Sequence, residues 1–311
     1  VETPVQKVRF GTRGSLLART QTRWVADRLQ QLHPQIEVEL VVIETTGDKQ
    51  RDRPFTQVGT KGMFVKEIEE ALLQGAIDVG IHSAKDLPSE LPDGLSIICI
   101  PPREAANDVL IAREACSLEV LPKDSVIGTS SARRRAQLAY IRPDLRFVEL
   151  RGNLDTRLRK LKEGQCDALI LAYAGLHRLG AEWEGLITQI LPKEVCLPAP
   201  GQGALAVEAR ADRADLMALF AALHCTDSAC TLEAERSFQA ALGGGCTVPM
   251  GASAYLDGDW IVLDAVVISP DGRQRLFDTH AGLRSRAREV GTTLARRMLE
   301  HGAKALIEEH P

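Results

Sequence analysis

The chain has 311 residues, with 38 Lys and Arg against 42 Asp and Glu and a net charge of −4. That length suggests two domains with room for a small third, and the charge excludes a global basic field that would draw nucleic acid or an anionic membrane. No apolar run approaches the roughly 18 residues that span a bilayer, and no charged-then-apolar export signal opens the chain. The seven scattered cysteines suit free thiols in a reducing, cytoplasmic setting.

The first predicted strand, 7–11, ends in Gly11-Thr12-Arg13-Gly14-Ser15. A helix follows, with Leu17, Trp24, Val25 and Leu32 on one face and Pro34 at its end. Ile36, Val38, Leu40 and Val42 alternate as in a strand. Val65, Ile68 and Leu72 mark another helix, which leads through Gly75 into the strand 77–81. The stretch 46–62 is charged, Gly/Pro-punctuated and without period, which reads as a mobile lid or as a solvated insertion. The order then repeats. A strand at 125–129 ends in Gly-Thr, Ser130 and Ser131 open an Arg-rich helix that Pro143 ends, and a strand at 146–150 and a helix at 153–162 follow. Gly164-Gln165-Cys166-Asp167 leads into the strand 168–171 as Gly75-Ala76-Ile77-Asp78 leads into its own, so the two halves read as a duplication. Alternating strands and helices predict α/β lobes with a parallel sheet covered on both faces.

Pro101-Pro102 and Pro198-Ala199-Pro200 bracket the second half. The expected path leaves lobe one at the first and returns at the second, a double-crossing hinge with ligand in the cleft between lobes. A strand at 204–208 and a helix at 212–223 complete lobe one. From about Thr226 a helix at 228–241 runs into Gly243-Gly244-Gly245-Cys246. Strands near 252–256, 260–268 and 273–279 are joined by Asp257-Gly258-Asp259 and Pro270-Asp271-Gly272, and a helix at 285–300 follows. This is a small α+β third domain with an antiparallel sheet. The division expected is 1–102 with 197–223 for lobe one, 103–196 for lobe two and 226–311 for the third domain.

Arg133, Arg134 and Arg135 fall in the first turn of a helix, after Gly128-Thr129-Ser130-Ser131. Cations there oppose the helix dipole unless an anion is bound. Arg13 and Ser15 form the matching arrangement in lobe one, Arg151 and Arg157 flank Gly152-Asn153, and Arg178 follows another strand. Guanidinium groups gathered at strand ends suit carboxylates or phosphates. Asp86, beside Lys85 in the turn 81–88, suits a carboxylate that stabilises a developing cation or hands over protons, and equally an N-cap or turn residue. His82 reads as a satisfied strand-end histidine. Cys246, after three glycines, is the candidate reactive thiol, and the other six cysteines read as buried small hydrophobes. His224-Cys225 and Cys230 match no zinc spacing, so no metal is expected. Gly201-Gln202-Gly203 lacks the strand-to-helix context of a dinucleotide loop.

Several stretches carry a resemblance: Gly-Thr-Arg-Gly-Ser-Leu-Leu-Ala at 11–18, Gly-Met-Phe-Val-Lys-Glu-Ile-Glu at 62–69 and Asp-Val-Gly-Ile-His-Ser-Ala-Lys-Asp-Leu-Pro at 78–88. Gly-Thr-Ser-Ser-Ala-Arg-Arg at 128–134, Arg-Gly-Asn-Leu-Asp-Thr-Arg at 151–157, Pro-Gly-Gln-Gly-Ala at 200–204 and Gly-Gly-Cys-Thr-Val-Pro at 244–249 extend it. Together they resemble the porphobilinogen deaminase (hydroxymethylbilane synthase) family over nearly the whole chain. The resemblance implies two periplasmic-binding-protein-like lobes, a third domain, and a dipyrromethane cofactor joined to Cys246 by a thioether. It also implies a monomeric transferase of tetrapyrrole (haem or chlorophyll) biosynthesis, in the cytoplasm or a plastid stroma. Such an enzyme condenses four porphobilinogen molecules head to tail, releasing ammonia and finally hydroxymethylbilane.

By the same resemblance Asp86 is catalytic, and Cys246, Lys85, Ser83, Gly128, Thr129, Ser131, Arg133 and Arg134 hold the cofactor. Arg13, Ser15, Lys61, Phe64, Arg151, Arg157, Arg178 and Gln202 meet substrate. Each pyrrole brings an acetate and a propionate, and two charges about 4 Å apart repel by roughly 4 kcal/mol at an effective dielectric near 20, so elongation needs fixed cations. Two departures stand out: Gln57, where the family's lid often has Lys, and Asp155, which must face away or pair with an Arg. Arg135 is expected to point outward. The rival readings are a non-catalytic solute binder, with no need for Cys246 or Asp86, and a nucleic-acid module centred on Arg133–Arg135. The second lacks interleaved aromatics.

Overall fold

The structure, a computed structural model, describes residues 6–49, 64–114, 116–243 and 248–308. Its strands are β1 (Gln6–Arg13), β2 (Ile36–Ile43), β3 (Val79–Ser83), β4 (Leu95–Cys99), β5 (Asp108–Ala112), β6 (Val126–Gly128) and β7 (Arg146–Val148). After these come β8 (Ala168–Ala172), β9 (Gln189–Ile190), β10 (Leu205–Arg210), β11 (Met250–Asp257), β12 (Trp260–Ile268) and β13 (Arg275–Leu283). Two compact units form, 1–104 with 204–229 and 105–203 with 230–311.

The first unit holds a five-stranded sheet in the order β2-β1-β3-β10-β4, and the second a sheet in the order β7-β6-β8-β5-β9. The two orders are the same, with β1, β2 and β3 matched by β6, β7 and β8. Those three strands are parallel in each sheet, but β10 and β5 run antiparallel to both neighbours. The all-parallel expectation is corrected on this point. Each reversed strand is the first after the chain changes unit. It starts where the parallel strands end, Leu205 opposite Ser83 and Asp108 opposite Ala172, so it runs back down the sheet.

The duplicated GxxD has a structural duty. Asp78 N–H donates to Arg9 O at 2.9 Å and Asp78 Oδ2 accepts from Arg9 N–H at 2.8 Å. Asp167 clamps Val126 in the same way, at 2.8 Å both ways. Gly75 (φ 69°) and Gly164 (φ 76°), three residues before each Asp, take the left-handed backbone that a side chain resists. Gly11 and Gly128 are alike too: a Cβ would strike Ile77 Cδ1 in one lobe and Leu150 Cδ1 in the other.

Helix α1 (Leu16–Leu32) starts at Ser15, whose hydroxyl accepts the Ala18 N–H at 3.3 Å. Its buried face is Gln21, Thr22, Val25, Ala26 and Leu29, so Leu32, expected inside, is instead exposed one turn beyond the core. Val25 and Leu29 pack with Phe10, Val79, Val207 and Phe220. Each such fully buried side chain contributes about 1.5–3 kcal/mol.

In the second unit, β11-β12-β13 form the expected antiparallel sheet, with Gly258 in a tight connection. The helices Thr226–Leu242 and Ala287–Glu300 supply Phe238, Leu294 and Met298 to its core. Buried Glu235 ties this part to the loop before β10, accepting N–H from Gly201 at 2.7 Å and from Ala254 at 2.8 Å. Ala252 N–H donates to Pro198 O at 2.9 Å. These bonds are why 197–203 packs with the second unit.

Candidate active site

In lobe one, β1, α1 and β3 converge on a pocket of about 70 Å³ lined by Arg13, Ser15, Gln21, Phe64, His82, Ser83 and Asp86, among others. Arg13 closes β1, Ser15 caps α1, and Ser83 and Asp86 follow from β3 into a single 3-10 turn. All come from C-terminal ends of parallel strands, where open α/β sheets take ligand. The Arg13 guanidinium lies 4.1 Å from the Phe64 ring centroid, a cation–π contact that holds it in place. Ser83 Oγ donates to Gln21 Oε1 at 3.2 Å, so Gln21, which the sequence did not single out, orients a pocket hydroxyl. Among the described residues no hydrogen bond or ion pair engages the half-buried Asp86 carboxylate, which is left to accept from a ligand. Phe64 also lies against Gly47 of the short helix α2 (Thr46–Lys49), where a Cβ would strike its ring. Thr46 N–H, donating to Glu67 Oε1 at 2.7 Å, anchors that turn.

In the second unit, Ser131 caps helix α4 (Ala132–Ile141), with Arg133 and Arg134 in its first turn, both buried. Their anion turns out to be internal. Asp108, fully buried at the head of β5, accepts from Arg133 Nη1 at 2.6 Å and from Arg134 Nε at 3.0 Å and Nη2 at 2.7 Å. Gln202 Nε2 donates to the same carboxylate at 2.9 Å and to Ala106 O at 2.6 Å, and Gln202 is only 1% exposed. Burial alone would raise the Asp108 carboxyl, but the two guanidinium groups hold it well below the usual carboxylate range. The sequence carried one clue, an acid heading the wholly apolar run Val109–Ala112. Two cations around one anion leave the cluster with one net positive charge.

Further cations lie nearby on the sequence. Arg157, half-buried on helix α5 (Leu154–Lys162), donates to Gly152 O at 3.0 Å. Desolvation, with Arg134 and Arg151 close by, brings its pKa down to about 10, so an approaching carboxylate would relieve it. Arg151 Nε meets Glu149 Oε1 at 2.7 Å, and Arg178 Nη2 donates to Gly203 O at 2.7 Å. Thr129 Oγ1 accepts the Ser131 N–H at 3.2 Å. Gly128 is a packing glycine, enclosed by Leu150, Leu169 and Cys166. Arg135 and Asp155 are both exposed.

Cys246, Lys61, Gln57 and most of 46–62 lie outside the described residues. Of the other cysteines, Cys99, Cys166 and Cys196 are buried, whereas Cys116, Cys225 and Cys230 are half-buried, a correction to the uniformly buried set expected. Burial pushes the Cys99 and Cys196 thiols up to about 12 and Cys166 to about 11, which leaves them inert. His82 also departs from expectation. It is buried with Nε2 3.0 Å from Glu208 Oε2, yet among the described residues that nitrogen makes no hydrogen bond.

The fold and pocket define an α/β protein of two similar lobes with a polar pocket at the strand ends of lobe one. The family description "porphobilinogen deaminase, dipyromethane cofactor binding domain" matches residues 8–218, and "porphobilinogen deaminase, C-terminal domain" matches 229–300. Porphobilinogen deaminase of Geobacillus sp. (strain WCH70) is 48% identical over 306 residues, 98% of this chain and 97% of that protein. The protein of that name from Syntrophobacter fumaroxidans is 45% identical over 302 residues, 97% of each. Among solved structures, the methionine-binding protein MetQ superposes with a TM-score of 0.45 at 15% identity, covering 70% of this chain and 89% of that one. The chain belongs to the porphobilinogen deaminase family. It is a transferase of tetrapyrrole biosynthesis with the family's dipyrromethane cofactor-binding domain, and among its described residues no helix is long and apolar enough to cross a membrane.

Proposed function

We propose that this chain condenses four porphobilinogen molecules head to tail on a dipyrromethane primer joined to Cys246, releasing ammonia at each addition and hydroxymethylbilane at the end. We assign 1–102 with 197–223, 103–196 and 226–311 as its working domains, and the monomer as its working form. The observation that carries the assignment is the convergence of Arg13, Ser15, Phe64, Ser83 and Asp86 on one pocket. The donor set suits the cofactor: cations and hydroxyls for its carboxylates, and for its ring N–H groups a carboxylate that has no partner among the described residues. When bound, dipyrromethane supplies a terminal pyrrole whose free α-carbon takes the next substrate.

The residues of the chain divide the remaining work. Asp86 accepts the substrate pyrrole N–H and sets a negative charge against the cation that develops as the C–N bond breaks and its electron pair leaves with ammonia. Arg13, Arg151, Arg157 and Arg178 receive acetate and propionate groups, with Ser15, Lys61, Lys85, Ser83, Thr129 and Ser131 in support. Arg133, Arg134 and Gln202 act around Asp108, which fixes the guanidinium planes and leaves their net charge positive. Phe64 packs beside the ring of the substrate and holds Arg13.

Intact mass tests this reading. Purified protein should exceed its encoded mass by two linked pyrroles, on the peptide containing Cys246. Asp86→Ala should fold, keep that surplus and lose at least about 100-fold in kcat. Full turnover by a protein of bare polypeptide mass overturns the proposal.

A further inference from the structure

Among the described residues of lobe one, two carboxyl groups and one imidazole are buried and unused by the mechanism above. Glu208 of β10 is fully buried and stands opposite Gly80 of β3. His82, two residues along β3 and so on the same face, brings Nε2 to 3.0 Å from Glu208 Oε2. Glu69, 7% exposed on helix α3 (Lys66–Leu73), is the third. Among the described residues His82 Nε2, both Glu208 oxygens and Glu69 Oε1 have no hydrogen-bond partner. Gly80 is what lets the groups close up, since a Cβ there would lie 2.8 Å from both His82 Nε2 and Ile68 Cγ2. His82 links the cluster to the pocket, whose wall it shares with Arg13, Ser83 and Asp86.

The buried Glu69 carboxyl, with an unsatisfied oxygen and a second carboxylate near it, resists being charged through both desolvation and repulsion. Desolvation, with Glu208 and more weakly Glu70 raising it and His82 opposing, lifts the Glu69 carboxyl to about 7. The titratable and charged groups that face it are Glu70 from α3, His82 from β3 and Glu208 from β10, with Arg13 and Asp86 across the pocket wall.

We propose that Glu69, Glu208 and His82 form a proton-holding positioning cluster behind the substrate pocket: with its proton in place the pocket holds a carboxylate-bearing ligand well, and loss of the proton weakens that hold. This rests on the pocket being the substrate site. One added charge within about 10 Å, at an effective dielectric near 20, changes the affinity for an anion on the order of tenfold.

The test uses full-length holoprotein and porphobilinogen turnover between pH 6 and 8. In the wild type KM should rise on the order of tenfold across that range, while Glu69→Gln, which fixes the uncharged form, should flatten the rise. Glu208→Gln should lower KM at pH 8 by removing the partner charge. The same rise in Glu69→Gln and wild type overturns the proposal. Thermal unfolding gives a readout independent of turnover. A carboxyl raised on folding binds its proton more tightly in the folded state, so wild-type stability should fall as pH rises from about 4.5 through 7, and Glu69→Gln should lose that slope. Identical slopes also overturn the proposal. A wild type that turns over no porphobilinogen refutes the functional reading instead, and the unfolding slopes still decide the cluster.

Discussion

Replacing Asp108 by Ala removes the one carboxylate that, among the described residues, holds Arg133 and Arg134. In the native structure it is fully buried and receives Arg133 at 2.6 Å, Arg134 at 2.7 Å and 3.0 Å, and Gln202 at 2.9 Å. Breaking a buried pair by deleting one partner costs about 3–5 kcal/mol, most of it from the charge left unpaired. Here two guanidinium groups lose the same anion, so the upper end, about 5 kcal/mol, is expected. Domains are stable by only about 5–15 kcal/mol, so Asp108→Ala should leave the second unit close to unfolding at neutral pH. Asp108→Asn keeps an acceptor oxygen and loses the charge, so it should cost less. The measurement is urea unfolding at pH 7, followed by far-UV circular dichroism. A loss under about 1 kcal/mol for Asp108→Ala would refute the reasoning, because the guanidinium groups would then have another anchor. pH supplies the second arm. Because the folded carboxyl lies below its unfolded value, its stabilisation is present above about pH 4 and drains away as pH falls. Asp108→Asn should lack that acid-side loss.

Two smaller changes probe the pocket and the sheet. Phe64→Leu removes the ring beneath Arg13, a contact worth about 0.5–1 kcal/mol; porphobilinogen KM should rise about two- to fivefold with little change in melting temperature, and an unchanged KM would remove Phe64 from the site. Gly128→Ala forces a methyl group against Leu150, Leu169 and Cys166; overpacking of this kind costs about 1–3 kcal/mol, so the melting temperature should drop, and a full-stability variant would show that the sheet yields there.

Much of the fold is legible in local chemistry. Ser15 and Ser131 are caps because a side-chain oxygen three residues before a free N–H satisfies it. The duplication shows in Gly-Thr and GxxD, since a left-handed turn and a strand clamp each demand particular residues. Arg13, Ser15, Ser83 and Asp86 read as a site because all sit where parallel strands end. Strand direction was not legible: β5 and β10 carry the same apolar pattern whichever way they run, and only the partner at each end reverses them.

What sequence alone determined here is whatever depends on neighbours along the chain: caps, turns, faces and the motifs that mark the family. The tertiary structure decided what depends on distant partners. Asp108 lies 25 residues from Arg133, and no local pattern says that a strand-opening acid will absorb two helix-opening cations. Glu69, His82 and Glu208 belong to three separate elements and look ordinary one by one. Their chemistry arises because the sheet puts Glu208 opposite a glycine and the helix closes over both, where water no longer screens one charge from the next.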